Sequence, residues 1–557
     1  MIIKFSGENY KAFKEFNLNI KPLTILLGAN SCGKSAIINS LLMLSQTVDT
    51  VSLSESALRL NGKKVGMGEA LNIVKDKETN NILSFSFEFD ESKIIRQHID
   101  ALKRDTIEAH FMVTRFISQA SRQNRDLLKR VHEVINDLDT IYYSGDSFNI
   151  KNLKKTSSRI ATIIKLYRSN KDKVKKTRIQ SKTMSRYVEN VSFTKMKDCL
   201  TKLIPISLVK LAASKIKYSF KYDRKSSNLI ILALSLYNKN NELIARITRD
   251  KPGSIKLESD IIDNSILKNS RKDITELLDI NVFSFIKSDT IRVSPISFFN
   301  DSINPVASYF VKVIHASMKE LMTELSDLNV NHVSPLRAFP QRYYLLDKSI
   351  HHSQLNALDG TELAEVLKKN PYIKDAINML LAEFSIAVEV EKVNDIIHKI
   401  TVNQEAVNLE LTDVGFGISQ VLPILVQAYL SPKGSITIIE QPEIHLHPKM
   451  QAWLTDALIK IALLEEKRFL IETHSDALVR RLRLRIVDEN SALTENDVGI
   501  YHLEKNKTEN CTDFKNIPIS PDGDITWPSD FMDVEINDTI MIQQMKLNRM
   551  LKSNGVH

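Results

Sequence analysis

Eight residues, Gly28-Ala29-Asn30-Ser31-Cys32-Gly33-Lys34-Ser35, have types and spacing suited to chemistry on a phosphate. Gly28 and Gly33 allow the backbone to curl until successive N–H groups of Asn30, Ser31 and Cys32 point at one anion. A helix starting near Lys34 adds its N-terminal dipole. Lys34 brings a positive charge to the β- and γ-phosphates of a nucleoside triphosphate, and the Ser35 hydroxyl is a ligand for Mg2+. The whole P-loop pattern is present.

Three further constellations fit the same chemistry. Ile436-Thr437-Ile438-Ile439 is an apolar run ending in Glu440, followed by Gln441-Pro442-Glu443. A carboxylate at the end of a buried strand, the Walker B arrangement, holds Mg2+ directly or through water. Leu411-Thr412-Asp413-Val414-Gly415-Phe416-Gly417-Ile418-Ser419-Gln420 places Gly415 and Gly417, then Ser419 and Gln420, at the opening of a helix ahead of Glu440. His474 follows the apolar run Arg468–Ile471 in Glu472-Thr473-His474-Ser475, where an imidazole can hydrogen-bond a γ-phosphate.

These residues need strands to present them. Ile2–Phe5, Phe16–Ile20 and Leu23–Leu27 read as short strands punctuated by Pro22 and Gly28, and the pattern turns helical from Lys34. Ile82–Phe89 alternates as a strand. From Glu91 to about Lys225, charged and apolar residues recur at helical spacing, with Gly145 and Pro205 as the lone breakers, which predicts a helical insertion. A mixed stretch to about residue 330 includes strand-like Asn228–Leu236 and Leu243–Thr248. Val388–Glu391, His398–Val402, Ser435–Ile439 and Arg468–Ile471 read as strands. Lys449–Leu464 reads as a helix, as does Ser419–Leu430, broken or kinked at Pro423. The predicted domains are 1–90, 91–225, 226–330, 331–505 and a tail, 506–557.

The balance of residues, 43% hydrophobic and 26% charged, is that of a globular protein. No apolar run approaches the ~18 residues that span a bilayer. The opening Met1-Ile2-Ile3-Lys4-Phe5 enters a strand with no leader pattern, and Cys32, Cys199 and Cys511 show no metal-ligand spacing, so a reducing cytoplasm is expected. The net charge of +9 hides an asymmetry: residues 151–225 carry 22 Lys and Arg against 4 Asp and Glu. Lys171, Lys173, Lys175, Lys176 and Arg178 form its densest run. A nucleic acid backbone, an acidic protein or water on a helical face would each suit it. Aromatic residues are sparse there, so stacking on single strands has little support.

The four constellations together resemble the ATP-binding-cassette ATPases of the structural-maintenance, double-strand-break-repair and overcoming-lysogenisation group, over about 1–90 and 330–505. That resemblance implies an α/β cassette core built from both chain ends around a large helical, basic insertion. It implies ATP and Mg2+ as cofactors, with Gly415, Gly417, Ser419 and Gln420 meeting the nucleotide of a second subunit in a head-to-tail homodimer or higher oligomer. Asn9-Tyr10-Lys11-Ala12-Phe13 matches the group's strand-turn motif, where Lys11 lies near adenine or ribose. A closer resemblance rests on Ser334-Pro335-Leu336-Arg337-Ala338-Phe339-Pro340-Gln341-Arg342-Tyr343, on Gln441-Pro442-Glu443-Ile444-His445-Leu446-His447-Pro448, and on Asp522-Gly523-Asp524-Ile525-Thr526-Trp527-Pro528 with Phe531 and Asp533. These are similar to segments of the PtuA family of Septu-type anti-phage ATPases, found also in retrons. The resemblance implies a partner HNH endonuclease, PtuB, and in retron versions a reverse transcriptase with its RNA-linked DNA.

One position departs from the cassette pattern. The catalytic Glu expected after the Mg2+-binding acid is Gln441, which can orient water but is a poor general base. Either Glu443 substitutes, or hydrolysis is slow and ATP serves as a clamp. A stand-alone DNA-repair or structural-maintenance-like ATPase and a non-hydrolysing scaffold are the competing readings. The roughly 50 residues after Glu504 are too few for the Toprim nuclease that overcoming-lysogenisation proteins carry.

Overall fold

Leu23–Gly28, Ile436–Glu440 and Arg468–Glu472 are nearly unbroken apolar runs, the pattern of strands covered on both faces. A computed structural model describes residues 1–50, 57–90, 93–120, 124–143, 149–170, 182–250, 253–285, 302–337, 340–345, 355, 362–404, 407–506, 508–526, 538, 540–547 and 549. The chain is mixed α/β and divides into two compact units: Met1–Ile2, Thr50–Asn61 and Gly66–Glu324 in one, Ile3–Asp49, Gly62–Val65 and Leu325–His557 in the other.

The chain begins with β1 (Ile2–Tyr10) and β2 (Phe13–Asn19), an antiparallel hairpin, then β3 (Leu23–Gly28) and α1 (Lys34–Val48). β4 (Leu83–Phe89) precedes α2 (Lys93–Ala120), α3 (Arg125–Tyr142), α4 (Ile150–Ser169), α5 (Lys182–Asn190), α6 (Phe193–Asp198) and α7 (Leu208–Leu211). Then come β5 (Lys215–Asp223), β6 (Asn228–Tyr237), β7 (Leu243–Arg249), β8 (Ile255–Glu258), α8 (Asn264–Leu277) and α9 (Pro305–Leu325).

In the first unit β4 to β8 form an antiparallel meander. Asn124 and Asn149 cap α3 and α4 by accepting from Leu127 N–H and Lys151 N–H, so these charged helices start where the sequence offers a cap. Helix was expected as far as Lys225. The helical run ends instead at Leu211, and Lys215–Asp223 is β5. Ile216, Tyr218 and Phe220 are buried and alternate with Lys215, Lys217 and Lys221, a period of two that a high lysine content disguised as a charged helix.

The second unit takes up the chain at β9 (Val330–Val333) and β10 (Tyr344–Leu345), followed by α10 (Leu363–Lys369) and α11 (Pro371–Leu381). β11 (Ile386–Lys392), β12 (Ile397–Gln404) and β13 (Val407–Glu410) make a small antiparallel sheet with β10. Then follow α12 (Phe416–Leu430), β14 (Ile436–Glu440), α13 (Pro448–Leu464), β15 (Arg468–Glu472), α14 (Asp476–Val487), β16 (Val498–Asn506) and β17 (Cys511–Ile517). Helix α12 runs through Pro423 unbroken. A proline removes one N–H from the ladder, and buried Val421, Leu422, Ile424 and Leu425 hold the helix on both sides of it.

The main sheet has the order β17-β16-β3-β15-β14-β9, parallel except for the β16–β17 pair. One strand from the N-terminal end, β3, is therefore inserted between β16 and β15 of the C-terminal half, so the sheet is built from both chain ends as the cassette pattern implied. β15 lies between β3 and β14, so its last residue neighbours both the phosphate loop and the acid-ended strand. Apolar residues of α12, α13 and α14 cover the sheet, among them Ile424, Leu458 and Leu482. Among the described residues no helix is long and apolar enough to cross a membrane.

Candidate functional site

The loop between β3 and α1 is shaped by its glycines. Gly28 and Gly33 have φ of 137° and 109°. A Cβ on Gly28 would lie 2.3 Å from the Leu503 carbonyl oxygen, and one on Gly33 2.7 Å from Cζ of Phe13. Neither position accepts a side chain. Ser31 is also left-handed (φ 62°), and Ala29, Asn30 and Ser31 are exposed at the rim. Cys32 turns inward, with its carbonyl accepting from the Thr512 hydroxyl at 2.9 Å and burial pushing its thiol up. Lys11 sits in the β1–β2 turn with φ 48°, half-buried, its ammonium drawn down by burial. Phe13, two residues on, is the side chain against Gly33.

Lys34 is 3% exposed and donates to the carbonyls of Gly28 (2.9 Å) and Ala29 (3.0 Å). Its charge lies 3.9 Å from Glu472. The Ser35 hydroxyl donates to Glu472 at 3.1 Å. Glu440, the expected Mg2+ ligand, instead pairs with His332 of β9 at 2.7 Å. Strand register sets Glu440 directly beside Glu472. Burial, and then the neighbouring Glu440, push the Glu472 carboxyl up, against the pull of Lys34.

The turn after β14 is held from several sides. Gln441 has φ 45°; its N–H donates to the Glu472 carbonyl at 2.7 Å. Arg337 donates to the carbonyls of Gln441 (3.0 Å) and Glu440 (3.2 Å). This guanidinium is 7% exposed, and burial brings it down to about 10. Both oxygens of Glu443 are engaged, accepting from the Thr473 hydroxyl and the His474 N–H at 2.7 Å each. Burial, then Lys34, hold His474 below the ordinary histidine value.

The structure thus gathers Lys34, Ser35, Glu440, Gln441, Glu443 and His474 at the carboxyl edge of the parallel sheet, the place where open α/β sheets bind ligands. Gly415 caps α12, and Gly417 faces Leu446 at 3.8 Å from its would-be Cβ. Ser419 and Gln420 are buried in α12, 4% and 3% exposed. Lys171, Lys173, Lys175, Lys176 and Arg178 lie outside the described residues, as do Trp527, Pro528, Phe531 and Asp533. Glu472, His332 and Arg337 were given no role from sequence. For Glu472 the signal was present: like Glu440, it ends a buried apolar strand.

The donor set tests whether Mg2+ fits. Ser35, Glu440 and Glu472 offer hard oxygens, which suit Mg2+ and not a thiophilic metal. Among the described residues no group of three or more His, Cys, Asp or Glu could hold a metal alone. A cation here would draw further ligands from phosphates and water, as Mg2+ commonly does.

The family described as AAA ATPase domain matches residues 1–479. No curated protein matches the chain. Among solved structures, the SMC head domain from Thermotoga maritima is similar at 6% identity and a TM-score of 0.32, covering 93% of this chain and 99% of that one. An Smc head with an extended coiled coil bound to the C-terminal domain of ScpA, from Pyrococcus furiosus, is similar at 9% identity and a TM-score of 0.31, covering 93% and 96%.

Proposed function

Since the chain belongs to the AAA ATPase domain family, we propose that it binds ATP with Mg2+ on the Gly28–Ser35 loop and hydrolyses it slowly. The observation that carries this is the meeting of Lys34 and Ser35 with the acid-ended strands β14 and β15. Backbone N–H groups from Gly28 to Gly33 wrap the phosphates, Lys34 leaves its loop carbonyls for the β- and γ-phosphates, and Ser35 and Glu440 hold the cation. When bound, Mg2+ offsets phosphate charge. Lys11 lies toward the base or ribose, and an N–H of His474 is available to hydrogen-bond the γ-phosphate. Gln441 orients water without removing its proton, and Glu443 is occupied in tying the Gln441 turn to His474, so hydrolysis is slow.

The motif resemblance supports a finer reading. Two copies sandwich nucleotide, with Gly415, Gly417, Ser419 and Gln420 of one facing the loop of the other. The dimer gates an HNH endonuclease of the PtuB kind in cytoplasmic anti-phage defence, with a reverse transcriptase and its RNA-linked DNA in a retron setting. The basic insertion, 91–225, meets nucleic acid through Lys171, Lys173, Lys175, Lys176 and Arg178.

Calorimetric titration with Mg2+ and ATP tests the core of this. Lys34→Ala should weaken binding by about 100-fold, the loss of one or two hydrogen bonds from a charged donor, with melting curves run beside it to establish that the variant is folded. Undiminished affinity in that variant would remove the reading. Steady-state phosphate release above about 1 s−1, an ordinary enzyme rate, would remove slow hydrolysis.

A further inference from the structure

A P-loop needs one strand-end acid, and this site has two at the same level. Glu440 and Glu472 are register partners at the ends of β14 and β15. β15 also pairs with β3, where Glu472 stands opposite Leu26, two residues before the loop opens at Gly28. The central strand thus carries a carboxylate, 4% exposed, into the angle between the phosphate loop and the Walker B strand. Of the two acids, Glu472 is the one in contact with Ser35 (3.1 and 3.4 Å), and it lies 3.9 Å from Lys34. Glu440 is turned to His332.

We propose that Glu472 is a second carboxylate at the cation position, so that this chain takes up its nucleotide as the magnesium complex and rejects the metal-free form. This deepens the ATP-binding reading and rests on it. Metal-free ATP brings its full negative charge to a sheet edge where Glu472 lies beside Ser35 and Lys34 and Glu440 stands at the same level. Like charges in a partly buried site are screened weakly. A divalent cation would reverse the balance, since Glu472, Glu440 and the Ser35 hydroxyl are the oxygens that would hold it. Lys34 is hydrogen-bonded to the carbonyls of Gly28 and Ala29, and Ser35 to Glu472. The arriving cation offers Glu472 a partner in exchange for Ser35 and Lys34.

The test compares ATP affinity in Mg2+ and in EDTA for the full chain and for Glu472→Gln, which keeps shape and hydrogen bonding while removing charge. Glu472→Thr serves as a second, smaller replacement, and melting curves establish that each variant is folded. The expected result is that either variant narrows the ratio of the two affinities by about tenfold or more, gaining in EDTA and losing in Mg2+. Electron paramagnetic resonance of Mn2+ with ATP should show weaker cation retention in both. An unchanged ratio in a folded variant that still binds ATP would overturn the proposal and leave the ATP-binding reading intact. Absence of binding by the unsubstituted chain in Mg2+ would instead remove the ATP-binding reading, and this proposal with it.

Discussion

The antiparallel meander β4–β8 and the parallel sheet β17-β16-β3-β15-β14-β9 use their strands in opposite ways. Neighbouring strands of the meander run in alternate directions, so neither edge collects strand ends of one kind. Its buried face is aromatic: Tyr218 stacks on Phe283 at 4.3 Å, beside Phe220. In the parallel sheet β3, β14 and β15 end on one edge, which brings Lys34, Glu440 and Glu472 together from distant points in the chain. The first arrangement spends its side chains on packing. The second gathers charge that apolar packing alone would never tolerate. Substitutions should therefore separate the two regions, altering stability in one and nucleotide chemistry in the other.

The largest effect belongs to the meander. Tyr218 is fully buried and its hydroxyl donates to the Phe283 carbonyl. Tyr218→Ala should cost about 3–5 kcal/mol of stability, as truncation of buried aromatics does, read as a lower urea midpoint. ATP affinity of the folded fraction should stay within about twofold, because Tyr218 and the Gly28–Ser35 loop belong to different compact units. A large loss of affinity without loss of stability would abolish the contrast.

The contrast also explains what the sequence made legible. The Gly28–Ser35 loop could be read because its residues are contiguous and their chemistry is set by backbone shape. Glu440 could be read because an apolar run ending in an acid is a local pattern. The contacts that organise the site are not local: Ser35 and Glu472 are 437 residues apart, and Glu440 and His332 are 108 apart. Arg337 belonged to a recognisable segment, yet its grip on the Glu440 and Gln441 carbonyls depends on where β9 lies in the sheet. β5 was misread as helix for a different reason. Its lysines occupy one face of a strand, and at that density the charge pattern fits either period.

A smaller effect tests the chemistry at the parallel edge. Gln441→Glu restores a carboxylate where the cassette pattern expects one, on a backbone already held at φ 45° by Arg337 and the Glu472 carbonyl. A positioned general base contributes about 100-fold or more, so phosphate release should rise by roughly that factor with little change in ATP affinity. A rate unchanged within error would mean that Gln441 does not face the attacking water.

The smallest effect lies at the far end of α1 and asks whether every charge cluster in the parallel unit serves the nucleotide. Asp49 caps the helix that Lys34 begins, and accepts from the Asp327 N–H at 2.8 Å. The two carboxyls also hydrogen-bond each other, and Lys64 bridges Asp327 (2.6 Å), Ser45 (2.8 Å) and the Val330 carbonyl (2.9 Å). Burial, then Asp327, push Asp49 up to about 7 from an ordinary 3.8. Burial acts upward on Asp327 too, but the hydrogen bonds from Asp49 and Lys64 outweigh it and hold Asp327 low. The Asp49 carboxyl therefore keeps its proton to higher pH in the folded chain than in the unfolded one. A raised folded value gives stability that is present at low pH and is lost as pH rises through about 7. The low value of Asp327 gives a contribution lost in the other direction, below about pH 4. Stability from this group should thus fall from about pH 4 to about pH 7. Asp49→Asn supplies a fixed N–H donor in place of that proton, and should flatten that slope while leaving ATP affinity unaltered. Melting temperatures at pH 5 and 8 decide it: an equal fall in both proteins would show that the proton is held elsewhere, and a fall in ATP affinity would tie this cluster to the site that Lys34 opens.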